Sequence, residues 1–224
     1  GEDQDLSHDR ITALRLGVSL NRCLTGCLGI DFQFSRGIDI ASRSQGDVGK
    51  GTPLSRSSGK NNFSHFNLDT AYAIALDKNL EFNINTGGQL SLDDLLNSEQ
   101  SSITGPDKLS GFTSGSISGD ESWYFRGQLN YKKKLSNKLA LTPYVYGATG
   151  VSYTLTPTAT ENRATAARSI GLGLKMDGID NYFFDKNISA KVEYSKNWAT
   201  GVLEDVSDVR LNKQHLLVNL AMNF

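Results

Sequence analysis

No stretch of this sequence approaches the roughly 18 consecutive apolar residues of a membrane-spanning helix, and only 4 of its 224 residues are proline. The first absence excludes a helical membrane protein. It leaves a transmembrane barrel open, because barrel strands hold their hydrophobicity in every second residue and give a soluble-looking overall hydropathy. Hydrophobic residues make up only 38%, beside 22 glycines. Many strands separated by Gly, Asn, Ser and Asp give that balance. Charge of one sign is also lacking: 23 Lys+Arg against 24 Asp+Glu leave a net charge of -1, so nothing points to a nucleic-acid partner or a basic membrane-surface protein. No signal peptide is visible at residues 1–10. The expectation is a mature form, a fragment, or a domain whose signal lies upstream.

Reactive groups are equally scarce. The two cysteines, Cys23 and Cys27, are not spaced as CxxC and have no further Cys with which to complete a zinc site. They read as two small half-buried residues at a hairpin end, with a disulfide closing a tight turn as the alternative in an oxidising periplasm. His8, His65 and His215 lie far apart without ligand spacing and read as structural. There is no Gly-x-Ser-x-Gly, no His-Glu-x-x-His and no phosphate loop. Asp93 and Asp94 are adjacent, so strand geometry points them apart, and His215 near Ser207 and Asp208 makes no convincing triad. No enzyme, cofactor or metal is expected.

What is there is period two. Leu14, Leu16, Val18 and Leu20 alternate with Arg15, Gly17, Ser19 and Asn21, and Leu28, Ile30, Phe32 and Phe34 with Gly29, Asp31, Gln33 and Ser35. Phe66, Leu68, Thr70, Tyr72 and Ile74 form a third apolar face, and Leu80, Phe82 and Ile84 a fourth. Trp123, Phe125 and Leu129 oppose Tyr124, Arg126, Gln128 and Asn130. Leu141 and Val145 oppose Tyr144 and Tyr146. Ile170, Leu172 and Leu174 oppose Ser169, Gly171 and Gly173. Val192 and Tyr194 oppose Lys191, Glu193 and Ser195. Leu216, Val218, Leu220, Met222 and Phe224 oppose His215, Asn219 and Asn223. Successive strand side chains point to opposite faces, so each segment has one apolar and one polar face. The pattern predicts about nine strands of roughly 8–12 residues, near the length that crosses a bilayer when tilted.

Long and short links alternate between these strands, as in an outer-membrane barrel with short periplasmic turns and long outer loops. Segments 22–27, 77–79 and 132–138 are short, whereas 40–62 and 91–121 are long. A thirty-residue link without a pattern of its own is normally functional or disordered. Tyr131, Tyr144, Tyr153, Tyr182, Tyr194 and Trp198 lie at or near strand ends, where interfacial aromatics sit. The final Phe224 closes an amphipathic strand in the manner of a C-terminal assembly signal.

Residues 87–131 carry a family resemblance. Gly87-Gly88-Gln89-Leu90-Ser91, then Leu95, Ser98-Glu99-Gln100 and Gly105, resemble the segment before the large inward loop of two-partner secretion transporters, in the superfamily of outer-membrane assembly factors. Leu109-Ser110-Gly111-Phe112 resembles that loop's Val-Arg-Gly-Phe/Tyr motif. Ser118-Gly119-Asp120, Trp123 and Arg126 resemble the following Gly-Asp…Trp…Arg pattern. Tyr146-Gly147-Ala148-Thr149-Gly150 resembles the Phe-x-Asp-x-Gly strand motif. The resemblance implies an all-β, antiparallel transmembrane β-barrel, with residues 1–224 as the C-terminal part of a sixteen-stranded barrel and a loop at about 91–121 folding inward. It implies a Gram-negative outer membrane as location. It implies passage of a secreted exoprotein without nucleotide or metal, with outer-membrane lipid, lipopolysaccharide and the assembly machinery as further partners. A structural or porin-like barrel without secretion activity is the alternative.

The sequence departs from the family pattern in three ways. About nine strands are present, so closure calls for other strands, from upstream sequence or a second chain. The periplasmic domains of the family are not among residues 1–224. The loop Arg is Ser110 and the strand Asp is Ala148. In the family these two charges pair, and losing both is far cheaper than losing one, which strands a buried charge at a cost of about 3–5 kcal/mol. The paired loss makes Ser110 and Ala148 expected neighbours. It leaves the loop to Phe112 packing and neutral hydrogen bonds from Ser110, hence more mobile than in its relatives. Arg126 should face the lumen with Gln128 and Asn130, either touching the loop or a passing chain, or simply solvated beside a carboxylate. Glu193 and Lys191 read as solvated inward residues.

Overall fold

A segment that alternates apolar and polar residues can bury only one face, and here such segments become long strands. The structure, a computed structural model, describes residues 7–40, 53–136, 139–158, 161–180, 187–201 and 213–222. Its strands are β1 (Thr12–Cys23), β2 (Cys27–Ile38), β3 (Ser64–Ala75), β4 (Leu80–Ser91), β5 (Ser101–Ser102), β6 (Ser118–Gly119), β7 (Glu121–Tyr131), β8 (Lys133–Lys134), β9 (Ala140–Tyr153), β10 (Ala164–Asp180), β11 (Asn187–Thr200) and β12 (Lys213–Met222). Nine are long, and they form one antiparallel sheet in the order β1-β2-β3-β4-β7-β9-β10-β11-β12. β8 adds to β9, and β5 pairs with β6 as a separate ribbon. β10 reaches 17 residues, beyond the expected length, and carries a bulge between Met176 and Ile179. Among the described residues the edges β1 and β12 do not meet, so the sheet is an open, partial β-barrel.

The alternation sorts side chains as period two requires, but with the usual polarity reversed. Leu16, Val18, Leu172 and Val218 are 59–68% exposed, whereas Arg126 and Glu193 are 2% and 1% exposed. A globular protein in water buries its aliphatic residues and leaves unpaired charges outside. Here the aliphatic face turns outward along β1, β10 and β12, and the polar face is covered along β7, β9 and β11. Phe224, the proposed assembly signal, and Tyr182 lie outside the described residues.

Residues 92–120, between β4 and β7, cover that polar face. Glu99 is bonded to Arg15 of β1, and Ser110 to Glu193 of β11. On a flat sheet those two strands, seven spacings apart in the order above, would be separated by about 34 Å. Between its two anchors the loop doubles back, with the Leu109 N–H donating to the Ile103 carbonyl at 3.2 Å. The four residues from Glu99 to Ile103 span at most about 14 Å, so the sheet must curve around the loop.

The β1–β2 turn is closed by a disulfide between Cys23 and Cys27, whose Cα atoms are 4.0 Å apart. This corrects the reading of two half-buried thiols, for both cysteines are exposed. The pairing register places them directly opposite each other at the strand ends, which brings them within bonding reach.

Candidate functional site

The loop tip meets the wall at Ser110. Its Oγ accepts a hydrogen bond from Arg126 Nη1 at 2.6 Å and donates one to Glu193 Oε1. Arg126 Nη2 lies 3.4 Å from Glu193 Oε2, so the hydroxyl bridges a buried guanidinium–carboxylate pair. Glu193 Oε2 also accepts from the Tyr144 hydroxyl at 2.7 Å and lies 3.2 Å from Lys191 Nζ. Arg126 spends its remaining donors on Gln128 Oε1, at 3.2 and 2.7 Å, and on the Lys108 carbonyl at 3.2 Å. Gln128 Nε2 passes the chain on to Asn130 Oδ1 at 2.7 Å. The guanidinium also stacks 3.7 Å from the Tyr146 ring centroid. Removing water from these groups would be costly without such partners, and here each charge has several.

Glycine permits the close approach on either side. A Cβ on Gly111 would lie 1.9 Å from Asn197 Oδ1, and Asn197 Nδ2 instead donates to the Gly111 carbonyl at 2.7 Å. A Cβ on Gly150 would lie 3.2 Å from Ile103 of the loop. Between these points Leu109, Ile103 and Ile117 pack on Tyr124, Tyr144, Tyr146, Ala148 and Ala167, with Phe112 half-buried against them. Ala148 is the register partner of Arg126.

Two further anchors hold the loop's root. Asp120 is fully buried and accepts from Arg56 Nη1 at 2.7 and 2.9 Å. It also accepts from the backbone N–H of Leu95 at 3.0 Å and of Leu155 at 2.9 Å, tying three connections together. Glu99 accepts from Arg15 at 2.8 and 3.0 Å and lies 3.3 Å from His65 Nε2. Burial pushes the Glu99 carboxyl up, but hydrogen bonds from His65 and Arg15, with the Arg15 charge, outweigh it and hold the group below the usual carboxylate range.

The family model for the haemolysin secretion/activation proteins ShlB/FhaC/HecB matches residues 1–176. The chain belongs to this family. Its members are outer-membrane transporters of two-partner secretion in Gram-negative bacteria. Among solved structures, CdiB from Escherichia coli is similar, with a TM-score of 0.71 at 17% identity over 96% of this chain. The chain spans 37% of CdiB's length. Among curated protein sequences none matches.

Within the family pattern, the loop motif and strand motif lie in one cluster, but the partner of Ser110 is not residue 148. The carboxylate comes from β11 and the guanidinium from β7. Glu193, read from sequence as a solvated residue, is 1% exposed. The hydrogen bonds of Ser110 are therefore charge-assisted rather than neutral, since both of its partners are ionisable groups. Tyr144, grouped by sequence with interfacial aromatics, is buried on the polar face. Glu193, Asn197, Arg15 and Arg56 were missed as anchors. Their alternation marks the strand residues as inward, but their loop partners lie 84 to 86 residues away for Glu99 and Gly111, beyond any local pattern.

Proposed function

We propose that this chain forms part of the wall, and residues 92–120 the plug, of an outer-membrane pore that passes a secreted polypeptide. The observation that carries this reading is the Ser110 bridge. It holds the loop on the polar wall by hydrogen bonds alone, which can break and reform without covalent chemistry. Released, the loop would uncover a polar surface along β7, β9 and β11 on which an extended chain finds donors and acceptors. The outward aliphatic side chains supply the lipid contact, and strands outside this chain complete the barrel. Neither nucleotide nor metal is needed, because folding of the exported chain outside biases its diffusion. A secreted exoprotein, outer-membrane lipid, lipopolysaccharide and the assembly machinery are the partners this implies.

A porin-like barrel without secretion is the second reading, favoured by the absence of a charge pair at Ser110 and Ala148. Co-expression of the full-length protein with its exoprotein, together with planar-bilayer conductance, separates the two. Secretion that is lost when the protein is absent supports the transporter. Steady conductance with no effect on secretion supports the porin. Orientation is tested independently: Val218→Lys should cost about 2–4 kcal/mol on folding in lipid, and Asn219→Lys far less.

A further inference from the structure

The outer face of the sheet is mostly apolar, and two cations stand close together near one end of β10 and β11. Arg168 opposes Trp198, and Ile170 opposes Lys196, so Arg168 and Lys196 stand diagonally on neighbouring strands, about 7–8 Å apart at the backbone. Both are exposed on the outward face. Lys196 Nζ lies 5.4 Å from the Trp198 ring centroid. Among the described residues neither cation has a carboxylate within ion-pair distance. Among the other described cations, Arg22 and the run Lys132–Lys134 lie at the opposite end of the strands, and Arg36 is bonded to Ser64.

The level of this pair is informative. Trp198 lies two residues before the end of β11 at Thr200, on the end of the sheet opposite the tight turns at 24–26 and 76–79. Aromatic rings of this kind sit at headgroup depth. In a barrel with short periplasmic turns this end faces outward from the cell. The row that contains Ile170 and Lys196 continues through Gly147 to Gly127. A Cβ on Gly147 would meet nothing within 4 Å, whereas at Gly127 the Phe82 and Phe125 rings lie 3.4 and 3.6 Å away, so Gly147 leaves a small open notch beside the exposed Ile170.

We propose that the outer face of β9–β11 binds a phosphate-bearing lipid of the outer leaflet, with Arg168 and Lys196 on the phosphate. Trp198 packs at the headgroup boundary, and an acyl chain lies on the apolar surface of Ile170 and Leu172 beside the Gly147 notch. Charge complementarity carries the assignment: two cations with no carboxylate partner among the described residues stand together where an apolar surface leaves hydrocarbon and meets anionic headgroups. It rests on the membrane-barrel reading above.

The test uses the full-length protein in nonionic detergent, titrated with bis-phosphorylated lipid A and followed by native mass spectrometry. Wild type should retain lipid A in preference to phosphatidylcholine. The R168Q/K196Q double variant should bind lipid A about thirtyfold more weakly, roughly fivefold per cation, while R22Q binds as wild type does. Both altered residues are exposed, so folding should be unaffected. Equal binding by the double variant, equal retention of phosphatidylcholine, or displacement by millimolar inorganic phosphate would each overturn the site. Protein that stays monodisperse without detergent would contradict the membrane reading itself. Detergent-dependent protein with no lipid preference would contradict only this site.

Discussion

Two of the loop's ties to its wall, at Ser110 and at Glu99, use the same chemistry in different surroundings. At Ser110 the charged partners Arg126 and Glu193 have side chains 2% and 1% exposed, whereas at Glu99 the partner Arg15 is 45% exposed. An exposed ion pair is screened by water and salt and contributes about 0–1 kcal/mol. A buried one, whatever its net contribution, is costly to break on one side only. Of these two ties the Ser110 one is the costlier to break and the Arg15 contact of Glu99 the cheaper, while the equally buried Arg56–Asp120 pair fixes the loop's root.

Breaking the buried end should give the largest effect. Glu193→Ala strands Arg126 against the loop, and the loss should be about 3–5 kcal/mol in the free energy of loop docking. Leu109, fully buried by the docked loop, reports it: Leu109→Cys in a background without Cys23 and Cys27 should label rapidly with a thiol reagent once Glu193 is gone. Ser110→Ala removes one bond to each charged group and leaves the Arg126–Glu193 pair facing itself. It should cost about 1.5–3 kcal/mol by the same labelling assay.

The Glu99 end should respond weakly and in a pH-dependent way. Because its carboxyl is held below the usual range, the docked state releases its proton more readily than the free loop does. Its contribution is fully present above the ordinary carboxylate value and is lost as pH falls through that value toward the depressed one. Labelling at Leu109→Cys should thus rise modestly on acidification below the ordinary carboxylate range, and Glu99→Gln should flatten that component of the rise. Raising salt should weaken the Arg15 contact and leave the Ser110 bridge almost unchanged.

Much of this architecture was legible in the sequence. The nine-strand alternation sorted Leu16 from Arg15 and Val218 from Asn219, because a period of two leaves no freedom about which face a residue takes. The motif around Ser110 and the one around Ala148 marked the two segments that meet. What the sequence did not disclose was the identity of the carboxylate. Glu193 stands two residues from Lys191 on a strand with no motif, and local pattern makes such a pair look solvated. Its burial depends on a loop that starts about a hundred residues earlier in the chain, so only the folded arrangement brings Ser110 to it. The disulfide was undecided for a related reason: a separation of four residues permits a thiol pair or a bridge, and the register of β1 on β2 selects the bridge.

A double-mutant cycle between Ser110 and Glu193 addresses the central claim most directly, with Leu109→Cys labelling as the readout of loop docking. If Ser110 bridges Arg126 to Glu193, Ser110→Ala should cost much less once Glu193 is already alanine, giving an interaction energy of about 0.5–3 kcal/mol. Strict additivity of Ser110→Ala and Glu193→Ala would contradict the account, because it would mean that the loop is held on the wall by contacts other than this bridge.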